Sequence, residues 1–430
     1  MPRLRATLLD ETLYAMSAVG EWYIGLVLAF AERLDETRLA EALRLTLHAE
    51  PLLAARLAPT WRRAHWELPE EPPAAFPLPV EPAGDEPPEA HRFFLEPMDH
   101  LGGPQVQALL LRGAGDTLLL KLSHFVTDAG GVKHYAYLLA EIYRRLADDP
   151  RYRPPVNATP RGLRRVTASI GRGVKRGALR RMWREGKANP PSPTPFNPPG
   201  KLAARDERRF IVRHIEPAQF AALRNWGRAR ALTINDVLAA AFLRALTQTP
   251  PDDRPHLLRI VGTVDLRRYL PADAPPMIDN LSGWVYANFG ADAGADLDAT
   301  ARQVGATMRQ LKEGPLGLSM MPFLALLRAV SPLALNRIMY TEMMEGFAKE
   351  NAFPPTLTNM GAIDPARLIF AGAPAHRAFL LPPLLFPPTI GPGVSGYGDT
   401  LTLSAGYCAA GTPTPIMEKL FAAWLAELPR

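Results

Sequence analysis

Four hundred and thirty residues, 47% hydrophobic and 21% charged, exclude wholesale disorder and leave room for about two domains or one two-lobed unit. Forty-five prolines, roughly twice ordinary usage, argue against an all-helical bundle, and the single cysteine, Cys408, excludes an internal disulfide and a multi-cysteine zinc site. The net charge of +6 hides a local imbalance: residues 151–187 carry twelve Lys/Arg against Glu185, a net of +11, so the rest sums to −5 and argues against a generally basic nucleic-acid surface.

The first residues carry Asp10 and Glu11 and lack an apolar core, so no secretory signal is expected. Residues 20–57 read as a strand followed by a helix, in which Leu39, Ala42, Leu43 and Leu47 recur at three- and four-residue steps. The proline-rich acidic stretch 69–90 reads as a surface loop. Residues 106–111 and 117–125 form the arms of a predicted antiparallel hairpin that turns at 113–116. A helix is predicted over 132–146, with Val132, Tyr135, Leu139, Ile142 and Leu146 on one face. Through the basic segment, Leu163, Val166, Ile170, Val174, Ala178 and Met182 make an apolar stripe, with Arg and Lys filling much of the other faces. Proline clusters at both of its ends mark a boundary, giving an N-terminal lobe over 1–155, a crossover over 156–205 and a C-terminal lobe over 206–430. In the second half, strands are predicted at 208–215, 256–266, 282–289, 366–372 and 399–407. Helices are predicted at 232–246, with Thr233 or Asn235 as N-cap, and at 417–428. The longest uncharged stretch, 378–398, holds five prolines and four glycines, so it is not a membrane helix, and a soluble cytoplasmic protein is expected. Both halves mix sheets with helices, an α+β architecture.

The sharpest local feature is Ser123-His124-Phe125-Val126-Thr127-Asp128-Ala129-Gly130-Gly131, at a strand-to-helix junction. Leu118, Leu120, Leu122 and His124 share one strand face, so His124 ends an apolar row. A histidine there can be held in one tautomer with its other nitrogen free as a base. The residues alone equally allow a satisfied core histidine, with Asp128 as a helix cap. A metal pair from His124 and Asp128 has no nearby third ligand. The glycine pair lets backbone or ligand come close. His100 and His134 read as surface or helix positions.

Around this motif the chain resembles the condensation-domain and chloramphenicol-acetyltransferase-like acyltransferase superfamily. The hallmark HHxxxDG is similar to Ser123–Gly130, with Ser123 in place of the first histidine and Ala129 in place of the glycine after the aspartate. RLAEALRLTLHAEPLLAARL, LEPMDHLGGPQVQALLL, LTINDVLAAAFLRAL, VDLRRYLP with DNLSGWVYANF, and LTNMGAID follow in the superfamily's order, over about residues 10 to 425. There is no DFGWG, which departs from the plant-type branch.

The resemblance implies an α/β sandwich of two such lobes with a central tunnel. It implies acyl transfer from acyl-CoA or an acyl or peptidyl carrier protein to a hydroxyl or amine, in secondary metabolism. His124 would be the base and Asp128 a structural partner of an arginine, either Arg267, Arg268 or one nearer the N-terminus. Gly130, Gly131 and Arg267 would shape the motif. Ser282, Thr358 and Asn359 are candidate oxyanion donors. No bound cofactor is expected beyond a CoA- or phosphopantetheine-linked co-substrate. Alternatives are a peptide-synthetase-type condensation enzyme, a catalytically silent carrier-binding relative that Ser123 keeps open, and a wax-ester or diacylglycerol synthase-like enzyme suggested by Asn235-Asp236. The basic segment reads either as a crossover helix packed on both lobes or as an anion dock through Arg164, Arg165, Arg180 and Arg181. Such a dock would take a carrier protein, CoA phosphates or a peripheral membrane surface. A monomer is expected.

Overall fold

The computed structural model describes residues 2–188, 205–248, 257–350, 353–387 and 389–430. Near the N-terminus, helix α1 (Leu8–Ala15) is started by Thr7, which accepts from the Asp10 amide while the Asp10 carboxylate accepts from the Thr7 amide. Strands β1 (Tyr23–Phe30), β2 (Val106–Arg112) and β3 (Asp116–Ser123) then build an antiparallel sheet with β3 in the middle, its Leu120 opposite Leu26 and Ala108. Both faces are covered, which is why β3 reads LLLKL without alternation. Leu118, Leu120 and Leu122 join the main core, and Leu119 joins a second cluster with Tyr23 and Phe94. Helices α2 (Glu36–Ala49) and α3 (Ala129–Asp148) pack together, and both bury the apolar stripes their spacing predicts.

The crossover holds a short helix, Arg164–Ser169, and helix α4 (Arg172–Ala188). The second half supplies β4 (Arg208–Ile215), α5 (Ile234–Thr247), β5 (Arg259–Asp265), β6 (Ser282–Asn288), α6 (Leu297–Lys312), α7 (Met321–Val330), α8 (Leu333–Glu350), β7 (Thr356–Ile363), β8 (Ala373–Leu381), β9 (Gly393–Tyr397), β10 (Thr400–Cys408) and α9 (Thr414–Glu427). Its sheet runs β6-β5-β7-β9-β10, with β4 also paired to β10. Helices α5, α6 and α9 cover one face around Phe242, Phe421 and Trp424.

The division at residue 205 does not separate the sheets. β8 pairs antiparallel with β1, Leu380 opposite Leu26, and so belongs to the N-terminal sheet. In return, Gly20–Glu21 pairs with Leu384–Leu385 in the C-terminal sheet. The predicted strand at 366–372 is a turn over Pro365–Arg367 and a two-residue strand, Ile369–Phe370, because Asp364 caps the turn by accepting from the Ala366 amide. Residue 256 of the predicted strand at 256–266, and residues 189–204 of the crossover, lie outside the described residues. Helices α6, α7 and α8 were not among the elements expected from the sequence.

Candidate active site

β3 ends at Ser123, and the turn after it holds His124 from both sides. Its amide donates to the Trp22 carbonyl at 2.7 Å, and its carbonyl accepts from Asn280 Nδ2 at 2.9 Å. The imidazole Nδ1 lies 2.6 Å from the Thr127 carbonyl, which can only accept, so Nδ1 carries the proton and Nε2 the lone pair. Burial pushes the imidazole pKa below its usual value, against the opposing pull of Asp128 and the Thr127 carbonyl, so the ring is neutral at pH 7.

Asp128 caps α3: its Oδ1 accepts from the Gly131 amide at 2.9 Å. The same carboxylate takes Arg267 Nη1 at 2.8 Å from both oxygens, and Oδ2 accepts from the Leu281 amide at 2.7 Å. Burial alone would push this carboxyl up; the Arg267 charge and the amide donors hold it below its ordinary value. Arg267 Nη2 also donates to the Asp279 carbonyl at 2.7 Å. Asp128 therefore bolts the turn after β3 to the segment between β5 and β6. The two glycines are required by packing: a Cβ on Gly130 would sit 2.7 Å from Arg267 Nη1, and one on Gly131 would sit 1.9 Å from Thr127 Oγ1. Arg268 is exposed beside Tyr269.

His124, Asp128 and Gly130 line a cavity of about 300 Å³ built by both halves. Leu9 and Leu13 come from α1, Met16 from the cap that ends it, Trp22 from between Gly20–Glu21 and β1, and Ile24 from β1. Trp284 comes from β6, Leu324 from α7, Tyr340 and Met344 from α8, and Met360 from β7. Ser282, Thr358 and Asn359 line it too. Of these, Asn359 is the most engaged: its Oδ1 accepts from the Gly361 amide at 2.9 Å and its Nδ2 reaches Asn235 Oδ1 at 3.4 Å.

Residues 209–368 match the family model of the phthiocerol/phthiodiolone dimycocerosyl transferase C-terminus. No curated protein matches the chain by sequence. Among solved structures, polyketide synthase associated protein 5 from Mycobacterium tuberculosis superposes with a TM-score of 0.70 at 18% identity, covering 98% of each chain. The first condensation domain of the CDA synthetase gives 0.67 at 17% identity, covering 99% of this chain and 96% of that one. A nonribosomal peptide synthetase cyclization-docking bidomain from Sorangium cellulosum gives 0.68 at 13% identity, covering 99% and 84%.

The chain has the chloramphenicol-acetyltransferase-like fold of condensation domains. Within this condensation fold, Ser123, one departure from the hallmark, finds local partners. Ser123 Oγ accepts from the Phe125 amide at 3.3 Å and lies 2.9 Å from Nδ1 of His100. His100 was expected at a surface or helix position but lies in a turn, partly buried: its ring packs on Phe125 with centroids 4.5 Å apart, and burial pushes its pKa down to about 4. His134 lies on α3, half-buried and likewise pushed down to about 4 by burial.

The basic segment also differs from a uniform dock. Arg164 and Arg180 are exposed, and Arg165 is half-buried with Nη1 3.0 Å from Met277 Sδ. Arg181 is buried, one turn from Ala178 on the inner side of α4, and donates to the Leu311 carbonyl at 2.7 Å. Arg161, hidden in the sequence among the other basic residues, is the largest omission. It donates to Asp10 Oδ2 at 2.9 Å and to the Val126 carbonyl at 2.7 Å, and pairs with Asp279 Oδ1 at 3.1 Å. Burial pushes Asp279 up to about 6 despite Arg161, and Glu50 up to about 7 despite its bond from Asn157. Asn280 was also missed. Its signal was the Asp-Asn pair ahead of β6, a turn-type dipeptide next to a strand.

Proposed function

We propose that this condensation fold houses an acyltransferase that moves an acyl group from a thioester to a hydroxyl or amine acceptor, with His124 as general base. The observation that carries this reading is the Nδ1–H of His124 held by the Thr127 carbonyl at the wall of a cavity shared by both halves. Nε2 takes the acceptor's proton as its oxygen or nitrogen attacks the thioester carbonyl. The new C–O or C–N bond forms, the C–S bond breaks, and the proton leaves with the thiolate as free thiol. The hydroxyls of Ser282 and Thr358 are the candidate donors to the tetrahedral oxyanion, and Asn359 is less suited because its amide is engaged. Cys408 is buried with its thiol pushed up to about 11, which disfavours a covalent acyl-enzyme. The methionines and aromatic rings of the wall favour an apolar acyl chain or acceptor, because thioether side chains repack around irregular apolar groups.

The test is thiol release and product mass with acyl-CoA donors of increasing length and with alcohol and amine acceptors, which separates ester from amide formation. His124→Ala should lower turnover by on the order of 10²–10⁴ with an unchanged circular dichroism spectrum. Full turnover by the folded variant would overturn the assignment.

A further inference from the structure

Helices α7 and α8 form part of the cavity wall, and their outer faces also carry large apolar side chains. α7 reads MPFLALLRAV: Met321 and Leu324 are buried, Leu326 and Val330 are exposed on the outer side, and Phe323 is exposed while also lining the cavity. In α8, Asn336, Tyr340 and Met344 are buried at four-residue steps, and Leu335, Ile338 and Met339 are exposed. Val330 is 72% exposed, Leu326 59% and Ile338 56%. α4 packs on α7 and adds exposed Leu179 and Trp183, one turn apart. Among the described residues, nine of the fifteen exposed large hydrophobic side chains lie on these three helices, about a tenth of the chain. That concentration separates a functional patch from scattered surface residues.

The charges around the patch select its partner. The exposed side of α4 carries Arg172, Lys175, Arg176, Arg180 and Arg184. Arg62, beside the exposed Trp61, sits where its carbonyl accepts from the Leu333 amide at the start of α8, and Arg337 is exposed on α8 itself. Among the described side chains of α8, the exposed acids are Glu342 and Glu345. An apolar helical face rimmed by cations is the composition of an interfacial segment on an anionic bilayer. Among the described residues no helix is long and apolar enough to cross a membrane, so contact would be peripheral. The patch is also continuous with the cavity, because Phe323 and Met343 line it and belong to the exposed faces of α7 and α8.

We infer that α4, α7 and α8 dock on an anionic phospholipid surface, so that an apolar substrate or product passes between bilayer and cavity without crossing water. The docking itself is independent of the reaction assigned above, and only the passage of substrate or product rests on that reading. The test is flotation of the full chain with phosphatidylcholine vesicles, with and without phosphatidylglycerol, beside a soluble-donor turnover assay. Binding should require the anionic lipid and weaken with salt. Leu326→Ser combined with Ile338→Ser, both outside the cavity wall, should weaken it by on the order of tenfold or more while leaving turnover of a short soluble donor unchanged. Arg176→Ala combined with Arg180→Ala should weaken it by roughly fivefold per cation, without touching apolar packing. If the serine variant loses stability, the arginine variant still decides. Failure to float with anionic vesicles, or binding indifferent to both variants, would overturn the inference. So would a concentration-dependent dimer, broken by the serine variant, in place of vesicle binding.

Discussion

His124 reaches its working state through two opposed effects, and the balance fixes a pH dependence. Burial lowers its pKa, Asp128 and the Thr127 carbonyl raise it, and burial wins. The base is therefore unprotonated at pH 7, and the acid limb of kcat/KM should fall at a pH below the ordinary histidine value of about 6.5. A pH–rate profile with its limb above that value would show that the Asp128 charge prevails. Asp128 itself should act through position. Removing one member of a buried ion pair costs about 3–5 kcal/mol, so Asp128→Ala and Arg267→Ala should each lower Tm, and the double variant should lower it by less than the sum. Asp128→Asn should be milder, since its amide oxygen still accepts from Gly131. Thermal melts of the four proteins decide this, and strict additivity would mean the pair is not coupled. His124 and Asp128 were legible because both lie in one motif at a strand end; the resemblance left Arg267, Arg268 and an arginine nearer the N-terminus open as the partner, and only the fold selects Arg267. The contact between Ser123 and His100 was not legible, because the fold alone brings residues 23 apart into register.

At the scale of elements, the crossover is anchored before its helices begin. Asn157 donates to Glu50, Arg161 bridges Asp10 and Asp279, and the Gly162 amide donates to Asp279 at 2.6 Å. Glu50, pushed up to about 7 by burial, is held neutral more readily in the folded protein than in the unfolded chain. Its contribution is fully present below its unfolded pKa of about 4.3 and is lost as pH rises through about 7. Glu50→Gln, which cannot ionise, should therefore melt higher than wild type at pH 8, by on the order of 1–3 kcal/mol in stability, and match it near pH 4. Equal shifts at both pH values would show that Glu50 does not titrate with unfolding. α2 and α3, each with one apolar face, could be read from the sequence, and so could α5, from the capping signal at Thr233. α8 could not, because its apolar and polar residues are spread around the helix and give almost no amphipathic signal. The sheet exchange of β8 and Gly20–Glu21 could not be read either, since a strand's partner is set by long-range register rather than by its own residues.

For the whole molecule, the exchange of β8 into the N-terminal sheet and of Gly20–Glu21 into the C-terminal one makes the halves interdependent. The Asp128–Arg267 bolt and the Asn280 bond to the His124 carbonyl add to that link. Urea unfolding should accordingly be one transition, with far-ultraviolet circular dichroism and tryptophan fluorescence coincident. Two resolved transitions would show autonomous lobes. Expressed alone, residues 1–155 should lack the strand that borders β1 and stay unfolded or aggregate through that open edge. The same exchange sets a rule for recombining this chain with its relatives. A hybrid joined at the crossover would mate the first 155 residues of one parent with a foreign β8, placing a sequence selected for another neighbour against Leu26 and Val27. Functional hybrids should instead take residues 1–155 and 365–385 from one parent. The unit of inheritance in this fold is then a discontinuous piece of chain, and the single crossover point that looks natural along the sequence is the one most apt to break it.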